Sequence, residues 1–215
     1  MEIYNSEEEQ IEALKRWWVA NGRSVISGIV VGVIVIGGWN FWKSYKDNQA
    51  QLASSMYQQL LKAVKDTKIA SADKISEQLN EQFASTDYAD YAALIRAKIK
   101  LQQGDQETAR QLLEKVAGSA DQELRNVAKI RLIRLLMDKG KFEQGLQLIA
   151  ELDPSAEQGF NGIFEELKGD LYAALDRSDE ARTAYQNALR EGYSSPLLQF
   201  KLNDLTAPEI IDSQQ

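Results

Sequence analysis

Acid–base chemistry in this 215-residue chain would fall to carboxylates, lysines and tyrosines, because the sequence holds no histidine and no cysteine. That single fact removes thiol nucleophiles, disulfides, imidazole proton shuttles and Cys or His metal sites together. Carboxylates do stand in adjacent pairs, at Glu165/Glu166 and Asp179/Glu180. A hydrolytic carboxylate pair must face a cleft at a defined separation, whereas these sit at helical spacing and read as solvated faces or first-turn residues. Asp170, after Gly169, offers one carboxylate to a groove, and one Asp is no constellation. No P-loop and no G-x-G-x-x-G phosphate cradle occurs. The expectation is a binding protein and not an enzyme, with no catalytic residue, no cofactor and no metal.

A binding surface needs elements to build it, and the spacing of small and turn residues supplies them. Gly104, Gly140 and Asp176 fall at intervals of 36 and 36, each inside a polar tripeptide that reads as a tight turn. Five residues past each turn stand Ala109, Gly145 and Ala181, and the larger Leu113, Ile149 and Tyr185 share the same register. Such a period means stacked antiparallel helix pairs: a turn, a small residue for close approach, then bulky residues to fill the space between units. The predicted units cover about 87–120, 121–156 and 159–193. The last, with Gly169, Tyr172, Ala181, Tyr185 and Ala188, resembles the tetratricopeptide repeat position by position. The proline expected late in that motif is absent, and Ile133 stands where the motif has a small residue, so the earlier units are degenerate.

The same register nominates the side chains that the first helix of each unit presents to an inner groove. They are Tyr91, Leu94, Lys98 and Leu101, then Val127, Ile130, Arg134 and Met137, then Ile163, Glu166, Asp170 and Ala173. Val127 and Ile130 read as core, and the strongest contact candidates are Lys98, Arg134 and Met137, since charge and a flexible thioether suit an adaptable surface. A mixed groove of this kind suits an extended or helical peptide. Upstream, 47–66 and 71–84 read as a further helix pair that caps the array or continues the anchor. Residues 195–205 read as a closing cap over the last unit's apolar end, and 207–215 as a tail.

Residues 24–42 carry no charge between Arg23 and Lys43. Nineteen helical residues span about 28 Å, the thickness of a bilayer's hydrocarbon core. Trp17 and Trp18 precede the block and Trp39, Phe41 and Trp42 close it, an aromatic belt at both interfaces. The block ends without a small-x-small cleavage site, so it reads as an uncleaved signal anchor. Lys15, Arg16 and Arg23 before it outnumber Lys43 and Lys46 after it, which places residues 1–23 in the cytoplasm and the domain at 43–206 outside it. Gly28 and Gly32 form a G-x-x-x-G, a candidate helix-pairing face. Ser6 and Glu9 read as a capping box that starts a short helix before the span.

Net charge is −7, carried wholly by the part after Lys46. With no basic run, nucleic acid is excluded as a partner. The fold class is therefore all-α: one transmembrane helix followed by a tetratricopeptide-like helical repeat solenoid.

The acidic N-terminal tail, the Lys15-Arg16-Trp17-Trp18 approach, Asn21-Gly22, the Gly-rich span and the degenerate repeats together resemble the YfgM family of bacterial inner-membrane proteins. The resemblance implies a periplasmic repeat domain tethered to the inner membrane as an ancillary subunit of the SecYEG translocon. It also implies association with the periplasmic chaperone PpiD, unfolded secreted and outer-membrane proteins as clients, and a link to stress-response signalling. The alternative reading is a regulatory tether that sequesters a cytoplasmic response regulator at the membrane.

Overall fold

The computed structural model describes residues 7–119, 121–153 and 159–205; the predicted capping residue Ser6 and the predicted tail lie outside them. Every regular element among the described residues is a helix: α1 (Glu7–Lys65), α2 (Ile69–Gln82), α3 (Asp87–Gln102), α4 (Gln106–Ala117), α5 (Gln122–Asp138), α6 (Phe142–Ala150), α7 (Asn161–Ala174), α8 (Ser178–Arg190) and α9 (Pro196–Leu205). The chain divides into two compact units, Met1–Leu52 and Ala53–Gln215. The second starts at Ala53 rather than at the predicted residue 43. Helix α1 contributes to both.

Within the first unit, the 24–42 stretch is helical throughout and its large apolar side chains stand exposed, from Ile26 to Trp42. By length and composition this helix can cross a membrane. A run of exposed Val and Ile this long is unfavourable in water and calls for apolar surroundings. Trp17 packs near Trp18 at 6.5 Å between ring centroids, and Trp39 near Trp42 at 5.5 Å, with the Lys46 ammonium 4.4 Å from the Trp42 ring. Gly28 and Gly32 have nothing within 4 Å of where a Cβ would stand, so that face is open.

The second unit is a row of helix pairs, and its turns follow the period read from the sequence. Gly104, Gly140 and Asp176 all adopt positive φ, at 81°, 67° and 58°. Each closes the preceding helix with the same two hydrogen bonds. Gly104 N–H donates to Leu101 O at 3.1 Å and Asp105 N–H to Lys100 O at 2.9 Å; Met137 and Leu136, then Ala173 and Tyr172, accept the equivalent bonds at the next two turns. This is the Schellman closure, which satisfies carbonyls left over at a helix C-terminus.

A fourth turn of the same kind stands at Thr67, with φ of 58° and bonds to Val64 O and Ala63 O. Measured from Thr67, the small position is Ala72 and the packing positions are Ser76 and Leu79, all fully buried. The stretch 53–65 of α1 and helix α2 are therefore a further repeat unit, and not only a cap.

Successive core clusters link the pairs in order. Leu60, Leu79 and Ile99 join α1, α2 and α3; Leu113, Ala128 and Leu132 join α4 to α5; Ile133, Phe164 and Leu171 join α5 to α7; Tyr185, Ala188 and Leu198 join α8 to α9. Each unit thus buries its apolar face against its neighbours, as a solenoid requires.

Asp73 ties α2 to α3: it accepts from Lys100 Nζ at 2.6 Å and from Arg96 Nε at 3.0 Å. Burial alone would raise its carboxyl, but the hydrogen bonds from Lys100 and Arg96 outweigh burial and hold it below its ordinary 3.8. A lowered carboxyl contributes stability that is present above 3.8 and is lost as pH falls through the folded-state value. Asp73→Asn is expected to cost about 1–2 kcal/mol at neutral pH. The gap to the parent should close when urea midpoints are compared below pH 3.8; a gap independent of pH would contradict the assignment.

Candidate protein-binding groove

Helix α3 packs on α5, and α5 on α7, so the first helices of successive pairs form a contiguous row. The second helices instead lie between their own partner and the next first helix, α4 against α3 and α5, α6 against α5 and α7. Side chains on the free face of the row recur thirteen, ten, six and three residues before each turn. In the added unit these positions hold Ser54, Tyr57, Leu61 and Val64.

Of the nominated residues, Tyr91, Lys98, Leu101 and Arg134 are exposed. Met137 is half-buried, packed beside Ile133 and Phe164. Leu94 is only 6% exposed and belongs to the core with Leu113 and Leu132, so it holds helices together and is not offered to a ligand. Ile130 is buried in the same way. Glu166 and Asp170 are brought together, but their carboxylates are already engaged. Lys201 of α9 reaches Glu166 Oε1 at 3.0 Å and Asp170 Oδ1 at 2.6 Å.

That third acidic position is a buried network and not a bare charge. Tyr185 donates its hydroxyl to Asp170 Oδ1 at 2.9 Å. Burial first, and then the Asp170 charge, push the Tyr185 hydroxyl far above its ordinary range, so it stays a donor. Burial works to lower Lys201, yet the hydrogen bonds it donates to Asp170 and Glu166 outweigh it and hold the ammonium above its usual value. The lysine was invisible to the register because it lies outside the repeat, on the closing helix.

Elsewhere the row is open. At one end Tyr57 stacks near Tyr88 and Tyr91, with centroids 5.6 Å and 5.8 Å apart. Burial, and then the charges of Asp121, Glu123 and Asp87, raise the Tyr91 hydroxyl, which marks that end as acidic. Beside it, between α3 and α5, lies a hollow of about 360 Å³ lined by Ala97, Lys98, Leu101, Leu113, Arg131, Arg134, Leu135 and Asp138. The predicted Lys98, Leu101 and Arg134 meet there. Sequence reasoning missed Arg131, whose Nη1 donates to Leu94 O at 3.0 Å and so bridges α5 to α3. It also missed Leu61 and Val64, because Thr67 carries no glycine or aspartate signal; the small residue Ala72 five positions on was the available clue.

Comparison with known proteins agrees with this architecture. Residues 15–207 match the family profile described as a tetratricopeptide repeat-like domain. A protein of Escherichia coli strain K12 named "Ancillary SecYEG translocon subunit" is 29% identical over 213 residues, covering 96% of this chain and 100% of that one. Proteins of the same name from Aggregatibacter actinomycetemcomitans and Haemophilus influenzae are each 28% identical, over 93% and 94% of this chain and 97% and 99% of theirs.

Proposed function

Because the chain belongs to the tetratricopeptide repeat-like domain family, we propose that it is a membrane-tethered, non-catalytic scaffold that binds polypeptides beside the SecYEG translocon. One observation carries the binding reading. Leu61, Val64, Tyr91 and Leu101 are the large apolar side chains exposed on described residues of the repeat helices, and all four fall on the groove register. A surface that merely faced water would scatter such residues over all faces. Concentrated on one line, with Lys98 and Arg134 among them, they form an apolar-to-mixed track of the kind that extended or helical segments dock into.

The name shared by full-length relatives supports the translocon as the neighbour and the bacterial inner membrane as the location. The exposed apolar run of α1 supports a single span at 24–42. The flanking lysines and arginines support a cytoplasmic N-terminus and a periplasmic repeat domain. In this reading the open face at Gly28 and Gly32 pairs with a helix of a membrane partner. The periplasmic chaperone PpiD is the companion that the YfgM resemblance implies, and unfolded secreted proteins are the clients.

A photo-crosslinking residue placed at Lys98, Arg134 or Met137 in intact cells tests the proposal. Crosslinks to nascent secreted chains or to translocon and chaperone subunits are expected, with none from a probe at the outward-facing Glu107 of α4. Equal labelling from both faces would sink the groove. Sequestration of a cytoplasmic response regulator is a separate reading that rests on the resemblance alone. It requires that removal of residues 2–14 abolish function while removal of the repeats does not.

A further inference from the structure

The groove reading says that a polypeptide binds; the charges around the hollow between α3 and α5 say which. Three cations meet there, Lys98, Arg131 and Arg134, in a chain whose net charge is −7. Lys98 and Arg134 are exposed and make no ion pair or hydrogen bond with any described residue, and Asp138, the one carboxylate at the rim, pairs with none of the three. Other cations of the array stand singly or are paired, Arg96 and Lys100 with Asp73, Arg110 with Glu107, Arg182 with Asp179 and Lys201 with Glu166 and Asp170, whereas these three converge on one hollow. Arg131, exposed at the hollow, donates to a neutral carbonyl, Leu94 O at 3.0 Å, and partial burial, with the neighbouring Arg134 charge, lowers its pKa.

Leu101, exposed, shares the hollow with these cations, above the buried Leu113 and Leu135. A phosphate or a free ion would satisfy the charge but leave the Leu101 side chain exposed. The register line also continues past the hollow on both sides, to Leu61 and Val64 in one direction and Met137 in the other. A segment lying on the line therefore crosses the hollow with chain on either side, so the anion it delivers is a side chain and not a terminus. From this arrangement, and resting on the groove reading above, we infer that the hollow takes the side-chain carboxylate of an Asp or Glu set between apolar residues of an extended polypeptide. The cations select acidic–apolar segments, and reject basic ones by like-charge repulsion.

The test uses the full-length chain in lipid nanodiscs and three fluorescent peptides, blocked at both ends and identical but for one central Glu, Gln or Lys between leucines. Fluorescence anisotropy is expected to rank Glu over Gln by about tenfold, equivalent to about 1.4 kcal/mol, with Lys weakest. The Glu-to-Gln ratio should shrink as salt is raised. In the double variant Lys98→Gln/Arg134→Gln the ratio should fall to about one, while its thermal midpoint shows that the array is folded. Lys98→Glu/Arg134→Glu should reverse the order in favour of the Lys peptide. Equal binding of Glu and Gln peptides by the parent chain overturns this inference and leaves the groove standing. Binding of none of the three overturns the groove as well. Tight binding of free phosphate, or of an unblocked C-terminus in preference to the central Glu, also overturns it.

Discussion

Gly169→Ala is expected to lower the thermal midpoint of the full-length chain by roughly 4–8 °C, although alanine is the better helix former. Intrinsic propensity favours the change by about 1 kcal/mol. Against it, the new Cβ would stand 2.3 Å from Tyr185 Cε1 and 2.4 Å from Cδ1. The ring cannot swing away: it is 2% exposed, and its hydroxyl is fixed on Asp170. Overpacking against a ring that cannot move costs about 3 kcal/mol, the upper end of its usual range, which leaves about 2 kcal/mol after the propensity gain, and 1 kcal/mol moves the midpoint of a domain this size by roughly 2–4 °C. Gly145 provides the internal control. A Cβ there would meet Leu171 Cδ2 at 2.8 Å, the far end of a flexible side chain, so Gly145→Ala should shift the midpoint much less. Equal effects at the two glycines would show that the Tyr185 contact is not what the third pair depends on.

Lys201→Met is the second large effect, a loss of about 2–4 kcal/mol in urea unfolding. Removing the ammonium leaves the carboxylates of Glu166, 7% exposed, and Asp170 side by side without a counter-charge. Stripping one partner from a mostly buried ion pair is far more damaging than the pair is stabilising. A second substitution isolates the cause. Lys201→Met/Glu166→Gln should recover at least half of the loss, because one of the two stranded charges is gone. The parent has its own signature: with its ammonium held above 10.5, Lys201 contributes fully below that pH and its contribution is lost only as pH rises through the higher folded-state value. The parent's stability advantage over Lys201→Met should therefore persist through neutral pH and vanish in strong alkali. A loss that Glu166→Gln fails to relieve would assign Lys201 a packing role instead.

What could be read in advance divides along physical lines. The turns at Gly104, Gly140 and Asp176 were legible because the left-handed backbone they adopt favours a few residue types. The equivalent turn at Thr67 was legible only as a break between two helices and not as a member of the repeat, since a β-branched residue is disfavoured there and carries no glycine or aspartate signal. The buried Ala72, Ser76 and Leu79 after it are what place it in the register. Lys98, Leu101 and Arg134 could be placed on the open face because periodicity fixes which face of a helix a residue occupies. Periodicity does not fix how deep that face lies, which is why Leu94 and Ile130 proved to be core. Pairings outside the period, such as Lys201 with Asp170 and Arg131 with the Leu94 carbonyl, leave no trace in spacing at all.

The recurrence of one turn every 36 or 37 residues, from Thr67 to Asp176, has a consequence for anything that lies along the row. A perfect repeat would be a ratchet with equal teeth, on which a bound chain could slide by one unit at no cost. Here the teeth differ. Six residues before successive turns stand Leu61, Lys98, Arg134 and Asp170: greasy, positive, positive, and a negative group already cancelled by Lys201. On the groove proposed above, a passenger would therefore have one preferred berth and one preferred heading, set by four side chains on an otherwise uniform track.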